Sequence, residues 1–199
     1  MSKSNSNSKS DLLLYENNGL INFYKNDSNN LYLLKIIVNQ DTKISLRLLD
    51  WLVTNYSKKK NVEYDLKVID KDINGKKMIK EVPFNLWIDY KNQLKSYSKN
   101  FFDPFCRKQR IALNTKNFKV FEINEDEYDK YNTSENYIIT TVGQLNFFKW
   151  AINKEVIEYA IKNLDSIEAD MITCSNKHIK NNKNNTIGCS KRKTIIRFD

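Results

Sequence analysis

The spacing of apolar residues between positions 44 and 56 constrains the fold of this chain more than any other feature. An apolar residue recurs every three or four positions, at Ile44, Leu48, Leu49, Leu52 and Val53. This period places them on one face of a helix, and the lysines at 58–60 suit a helix C-terminus, where the backbone dipole favours cations. The segment therefore predicts a helix over 44–57 whose apolar face must be buried.

A second helix is predicted at 141–152. Thr141 and Gln144 have the spacing of a capping box, in which both side chains satisfy backbone groups of the first turn. The residues that follow, 145–152, are rich in large apolar side chains, and a further helix is predicted from residue 154 to 164. We expect the apolar faces of 44–57 and 141–152 to meet in one core, with Trp51 and Trp150 at or beside it.

Strands are predicted between the helices. Runs of β-branched, aromatic and alternating residues predict them at 31–38, 64–70 and 83–88, and a hairpin at 110–114 and 118–123. A short helix is expected at 89–98, an Asn-rich loop or hairpin connection at 17–30, and an acidic loop or single turn at 125–129. Because strands and helices do not alternate regularly, we predict an α+β fold, a single mixed domain with about four helices.

Composition sets the domain limits. Residues 1–10 are polar and predicted to be a disordered arm, residues 11–175 form the globular domain, and residues 176–199 are a basic tail rich in Asn and Lys. Residues 194–198 are apolar enough to return as a terminal strand. No apolar run approaches the roughly 20 residues that span a bilayer, so no membrane association is expected. Three cysteines make a disulfide framework implausible and indicate a reducing compartment.

No motif of catalysis is present. Gly75-Lys76 lacks the upstream glycine and the following hydroxyl residue of a phosphate-binding loop. Four residues have the ligand count of a zinc site, but their spacing is irregular and lacks a close Cys pair; they are Cys106, Cys174, His178 and Cys189. The sequence therefore predicts no catalytic residue, no metal and no cofactor.

Charge is distributed unevenly. Residues 43–110 carry 16 basic and 8 acidic side chains, residues 111–170 carry 6 and 11, and residues 171–199 carry 7 and 1. Two basic regions separated by an acidic one indicate a polyanionic partner, usually nucleic acid. The alternative is a coding bias, because Lys and Asn, at 28 residues each, are over-supplied by A+T-rich genomes.

The segment 90–110 interleaves cations with aromatic residues. Cations neutralise phosphates and aromatic faces stack on unpaired bases, which together bind single strands. Alternatively, the aromatic residues belong to the core and the lysines to its solvent face. The candidate nucleic-acid-binding residues are Lys91, Lys95, Tyr97, Lys99, Arg107, Lys108 and Arg110.

Four segments resemble a small protein family of the nucleocytoplasmic large DNA viruses. They are 44–58, 93–99, 102–107 and 140–152, and the similarity spans roughly residues 31–155. The Lys- and Asn-rich composition is similar to that of giant amoebal viruses. The resemblance implies action in a cytoplasmic viral factory or in the virion, and it carries over no catalytic residue.

Three functional hypotheses follow. The first is a non-enzymatic nucleic-acid-binding protein that uses the basic and aromatic surface. The second is a structural or interaction protein of the virion or viral factory, with other viral proteins as partners. The third is an enzyme without a recognisable motif.

Overall fold

The computed structural model describes residues 19–71, 75–97, 100–105 and 109–186, with side chains up to residue 175 except that of Lys71. Helices and two small antiparallel sheets combine in an α+β arrangement, which confirms the predicted fold class. The predicted arm at 1–10 and the predicted strand at 194–198 lie outside the described residues. No helix in the described part of the chain has the length and apolarity to cross a membrane.

Three helices begin the described chain. Helix α1 spans Leu20–Asn26 and α2 spans Ser28–Val38. Helix α3 runs without interruption over 46–60, because two α-helical segments flank a π-helical turn at Leu52–Tyr56. The Ser45 hydroxyl starts it by accepting a hydrogen bond from the Leu48 amide at 3.1 Å. The helix predicted at 44–57 is confirmed.

The strand predicted at 31–38 is wrong, and so is the loop predicted through 20–30. Residues 28–38 form a helix, whose N-cap Asp27 accepts a hydrogen bond from the Asn29 amide at 2.9 Å. Leu34 and Ile37 are buried on its inner face. A short apolar run has the same composition in a buried helix and in a strand, so periodicity does not separate the two.

A long hairpin projects from the core. Strand β1, Glu63–Lys71, pairs antiparallel with β2, Lys77–Asn85, in a two-stranded sheet. Helix α4, Leu86–Tyr97, follows directly, because the Asn85 side chain accepts a hydrogen bond from the Ile88 amide at 3.0 Å. The strand predicted at 64–70 is confirmed, whereas the strand predicted at 83–88 gives way to helix after Asn85.

The second sheet has three strands in the order β4-β3-β5. Strand β3, Ile111–Asn114, is buried throughout and pairs antiparallel with β4, Val120–Glu122, which confirms the hairpin predicted at 110–114 and 118–123. Strand β5, Tyr137–Thr140, was not predicted. A 3₁₀ turn at Glu125–Glu127 and helix α5, Tyr128–Asn132, form the acidic connection between β4 and β5.

Three helices end the described chain: α6 at Val142–Asn153, α7 at Val156–Lys162 and α8 at Leu164–Thr186. Helix α8 continues into the tract predicted as a tail. Counting 46–60 as one helix, the described residues contain eight helices, so the prediction of about four was too low. The extra helices are short or begin in polar stretches, where apolar periodicity is weak.

One large core joins most of these elements, and a smaller buried cluster holds Ala112, Ile123 and Tyr131. The inner faces of α3 and α6 belong to the same buried cluster, as predicted, and that cluster also contains residues of α1, α2, α4, α7 and both sheets. Leu48 of α3 is 1% exposed and Phe147 of α6 is fully buried. Trp150 is buried and Trp51 packs against the cluster from its edge.

Replacing Leu48 by Ala should lower the free energy of unfolding by roughly 2–5 kcal/mol, because the cavity left in the core cannot fully collapse. Leu46→Ala is the matched control, since Leu46 lies on the same helix but is half-buried; it should cost clearly less. Urea denaturation followed by circular dichroism measures both. Equal losses for the two variants would contradict this account of the core.

Candidate nucleic-acid interface

The inner face of α4 fixes the orientation of this helix. Leu86 and Tyr90 are buried, and Asp89 accepts a hydrogen bond of 2.6 Å from the Trp150 indole nitrogen. Burial raises the pKa of Tyr90 to about 12, with the nearby carboxylates of Asp50 and Asp103 adding to the shift. The underside of α4 is thus packed and hydrogen-bonded.

Lys91 and Lys95 lie on the outer face of α4. Both are exposed, and their spacing of four places them one turn apart on the same side of the helix. Trp87 stands one turn before Lys91 and is half-buried. The predicted pair of lysines therefore continues a line that begins at this tryptophan.

Lysines from two helices meet at Trp87. The Lys91 ammonium lies 5.6 Å from the centre of the Trp87 ring, and the Lys58 ammonium, from the end of α3, lies 5.5 Å from it. These distances allow cation–π attraction. We call Lys58, Trp87 and Lys91 the Trp87 cluster. The sequence did not reveal the role of Lys58, because 29 positions separate it from Trp87 and its charge was assigned to helix termination.

The neighbouring Lys59 does not join the Trp87 cluster but contacts Asp170. Its ammonium forms an ion pair with Asp170 of α8, and the Asp170 carboxylate also accepts a hydrogen bond of 3.1 Å from the Trp51 indole. These contacts lower the pKa of Asp170, and the hydrogen bond with Asp170 raises the pKa of Lys59. Lys59 thus connects α3 to α8, whereas Lys58 is directed to the Trp87 cluster.

Tyr97 lies on the opposite side of α4 from Lys95. Its ring stacks on Phe102, with 5.8 Å between the ring centres and 15° between the planes. Phe102 is 1% exposed and Tyr97 43%. One face of the Tyr97 ring is thus covered by Phe102. The other face is the one on which a nucleic-acid base could stack.

Arg110 lies in the wall of a separate cavity. Its guanidinium is 5.0 Å from the centre of the Tyr128 ring. The cavity, of about 770 Å³, is formed between the end of α2, α5 and β5, and Lys35, Glu135 and Gln144 also line it. The structure thus places Arg110 with these elements and not with the Trp87 cluster.

Several of the predicted nucleic-acid-binding residues, and three of the four residues weighed as zinc ligands, lie wholly or in their side chains outside the described ranges. They are Lys99, Arg107, Lys108, Cys106 and Cys189, together with the side chain of His178. Cys174 is a half-buried free thiol. In the ranges that the structure describes, no three His, Cys, Asp or Glu side chains are grouped as metal ligands would be.

Two of the segments that carry the viral resemblance contact each other. The buried Gln144 side chain donates a hydrogen bond of 2.8 Å to the Pro104 carbonyl and accepts one of 2.8 Å from the Thr140 hydroxyl. Asn146 donates to the Phe101 carbonyl at 3.1 Å. Thr141 caps α6 by accepting from the Gln144 amide at 3.1 Å, as predicted. The Gln144 side chain, however, holds the 100–105 segment instead of completing the predicted capping box.

Comparison with known proteins identifies one family and one viral relative, and the name of neither states an activity. Residues 3–197 match a family described as "Family of unknown function (DUF7197)". The chain is similar to "Uncharacterized protein L507" of Acanthamoeba polyphaga mimivirus, with 39% identity over 162 residues, which are 80% of this chain and 54% of that protein. The chain therefore spans about half the length of this curated relative. No solved structure matches.

Gly143→Ala should destabilise the protein. A β-carbon at this position would stand 2.9 Å from the Asn100 carbonyl oxygen and 3.3 Å from the Phe101 carbonyl carbon, so backbone must move, at a cost of typically about 1–3 kcal/mol. Helix propensity alone predicts the opposite, a gain of roughly 0.5–1 kcal/mol. Thermal denaturation decides by the sign: a more stable variant would show that the 100–105 segment does not press against α6.

Asp170→Asn should reduce stability at neutral pH but not in acid. Because the pKa of Asp170 is lowered in the folded chain, its stabilising contribution is present above the unfolded pKa and is lost as the pH falls through the folded value. The difference in unfolding free energy between the variant and the natural chain should therefore shrink below about pH 4. Urea titrations between pH 7 and pH 2 measure it; a constant difference would refute the role of this carboxylate.

Proposed function

The chain belongs to the family of unknown function DUF7197, and we propose that it is a non-enzymatic nucleic-acid-binding protein. Its binding surface is the Trp87 cluster together with Lys95. The observation that carries the proposal is the meeting of Lys58 and Lys91 on the Trp87 ring. Cations from two helices, far apart in the chain, are thereby brought to one exposed surface.

The arrangement favours phosphate contacts. Lysine presents a compact charge without the planar fork with which arginine reads guanine. Trp87 restrains the two lysines that lie against it, so less side-chain entropy is lost when they contact phosphates. The Trp87 ring is half-buried and has ammonium groups beside it, which makes it a support for the lysines more than a platform for bases. We therefore expect the affinity for nucleic acid to depend little on its nucleotide sequence.

The flanking contacts support a rigid surface. Next to residues of the cluster in the chain, Asp89 is bound to Trp150 and Lys59 is bound to Asp170. The carboxylates of these two aspartates thus have partners of their own. In this proposal Tyr97 contributes at most one ring face.

The relative from mimivirus supports a viral setting for this activity. A protein that holds phosphate backbones without base specificity suits a cytoplasmic viral factory or the interior of a virion, where viral genomes are concentrated. Parallel titrations with DNA and with RNA decide which of the two nucleic acids is the natural ligand.

The second candidate function is that of a structural or interaction protein of the virion or factory. The observation that favours it is the projecting hairpin, which exposes Ile69 and Ile79 at 72% and 71%. Exposed apolar residues on a projecting element are typical of contact with another protein. This surface is separate in sequence and in chemistry from the Trp87 cluster.

Lys58→Glu/Lys91→Glu should weaken binding to a labelled single-stranded oligonucleotide at least tenfold. Affinity of the natural chain should fall linearly with the logarithm of salt concentration, and the variant's slope should be smaller by about 0.7–0.9 for each phosphate that it no longer neutralises. Fluorescence anisotropy across a salt series, on DNA and RNA of two unrelated sequences, measures both quantities.

The matched control is Lys116→Glu/Lys119→Glu, which makes the same change in net charge on exposed residues of the β3–β4 connection. It should lower affinity less than threefold. Equal loss in both variants would mean that total charge acts without a defined surface. No binding to any nucleic acid at low salt would refute the proposal and favour the second candidate.

A further inference from the structure

The outer part of the β1–β2 hairpin is unprotected. All seven residues of β2 from Lys77 to Pro83 are exposed, and burial resumes only at Phe84. An isolated two-stranded hairpin is marginally stable in water. Among the described residues of the hairpin, those at its base are covered: Tyr64 and Phe84 contact each other, and Leu66 enters the core.

The two exposed isoleucines stand side by side on this hairpin. Ile69 of β1 is the direct partner of Ile79 of β2, so both side chains point to the same face. At 72% and 71% exposed, they are the most exposed of the large apolar residues that the structure describes. This face of the hairpin therefore carries an uncovered apolar pair.

The outer edge of β2 is also open. In the described residues β2 pairs with β1 alone, which leaves the backbone groups of its other edge without a strand. Such an edge is a template for another strand. Lysines commonly prevent this pairing by repulsion, and Lys77 and Lys80 lie on this strand. In one register, however, Glu81 lies opposite a lysine and the charges attract.

That register is an antiparallel pairing of β2 with β2 of a second copy, centred on Ile79. It places Lys77 of each chain opposite Glu81 of the other, and Ile79 opposite its own equivalent. Opposite charges and apolar pairs directly across a ladder both stabilise it. The segment from Lys77 to Glu81 is therefore complementary to itself, and Pro83, which lacks an amide hydrogen, marks where the pairing ends.

We propose that the chain forms a symmetric dimer through this edge. The two hairpins then join into one four-stranded antiparallel sheet related by a two-fold axis, as in most homodimers. Ile69 and Ile79 of both chains form a stripe of four isoleucines across it. Each side of the stripe is flanked by a row that contains the Lys77–Glu81 pair between chains.

A charge exchange tests the dimer. Lys77→Glu places two glutamates opposite each other, and Glu81→Lys places two lysines opposite each other, so each variant should raise the dimer dissociation constant at least tenfold. The double variant Lys77→Glu/Glu81→Lys restores opposite charges and should return the constant to within about threefold of the natural value. Analytical ultracentrifugation of the full chain over a concentration series measures all four proteins.

The same variants also provide a control for weakening of the hairpin itself. Within one chain, residue 77 is opposite Lys71 and residue 81 is opposite Lys67. Lys77→Glu therefore places no like charge opposite it in its own hairpin while it breaks the dimer, so loss of dimer by this variant cannot be ascribed to a weakened hairpin. Its circular dichroism spectrum should match that of the natural chain.

A natural chain that is monomeric at about 100 μM would overturn the proposal, and so would single variants that dimerise as tightly as the natural chain. A double variant that stays monomeric would also overturn it, because that result would exclude the register centred on Ile79. Measuring nucleic-acid binding by the monomeric variants shows whether the dimer edge and the Trp87 cluster act independently. Failure of the dimer proposal can then be distinguished from failure of the proposed nucleic-acid binding.

Discussion

A helix that is buried on nearly every side must find partners for its polar side chains, and α6 is such a helix. Gln144 is fully buried and Asn146 is 8% exposed, and an unsatisfied buried amide costs roughly 1–3 kcal/mol. Both amides donate to carbonyls of the 100–105 segment. The Gly143 position lets this segment approach the helix closely. A connection without regular structure thereby becomes part of the core.

The same helix determines where the basic surface lies. The Leu145 carbonyl accepts a hydrogen bond of 2.6 Å from the buried Tyr24 hydroxyl of α1, and Trp150 donates to Asp89 of α4. The second contact sets the rotation of α4 about its axis. Tyr90 then faces inward, while Lys91 and Lys95 face solvent. The link from core to proposed function thus passes through the buried inner face of α4, with Leu86 and Tyr90, and through the hydrogen bond from Trp150 to Asp89.

Local features of the sequence were sufficient for much of the fold. The helix at 44–57, the strand at 64–70, the second hairpin and the Thr141 cap all follow from periodicity or short-range hydrogen bonding. The error at 31–38 arose because a short apolar run fits a strand and a buried helix equally well. Strand β5 was missed because its four residues are stabilised by pairing with β3, a contact that no local pattern encodes.

The candidate site was only partly predictable for the same reason. Lys91 and Lys95 were found from the spacing of cations and aromatic residues, but Lys58 reaches Trp87 through the packing of α3 against α4.

The three tryptophans offer the most direct test of the proposed surface. The indole N–H groups of Trp51 and Trp150 are bound to Asp170 and Asp89, whereas Trp87 lies among the lysines. In protein labelled with ¹⁵N-tryptophan, titration with an unlabelled single-stranded oligonucleotide at low salt should shift the indole resonance of Trp87 and leave the other two nearly unchanged. An unchanged Trp87 resonance at saturating oligonucleotide, or equal shifts of all three, would contradict nucleic-acid binding at this cluster.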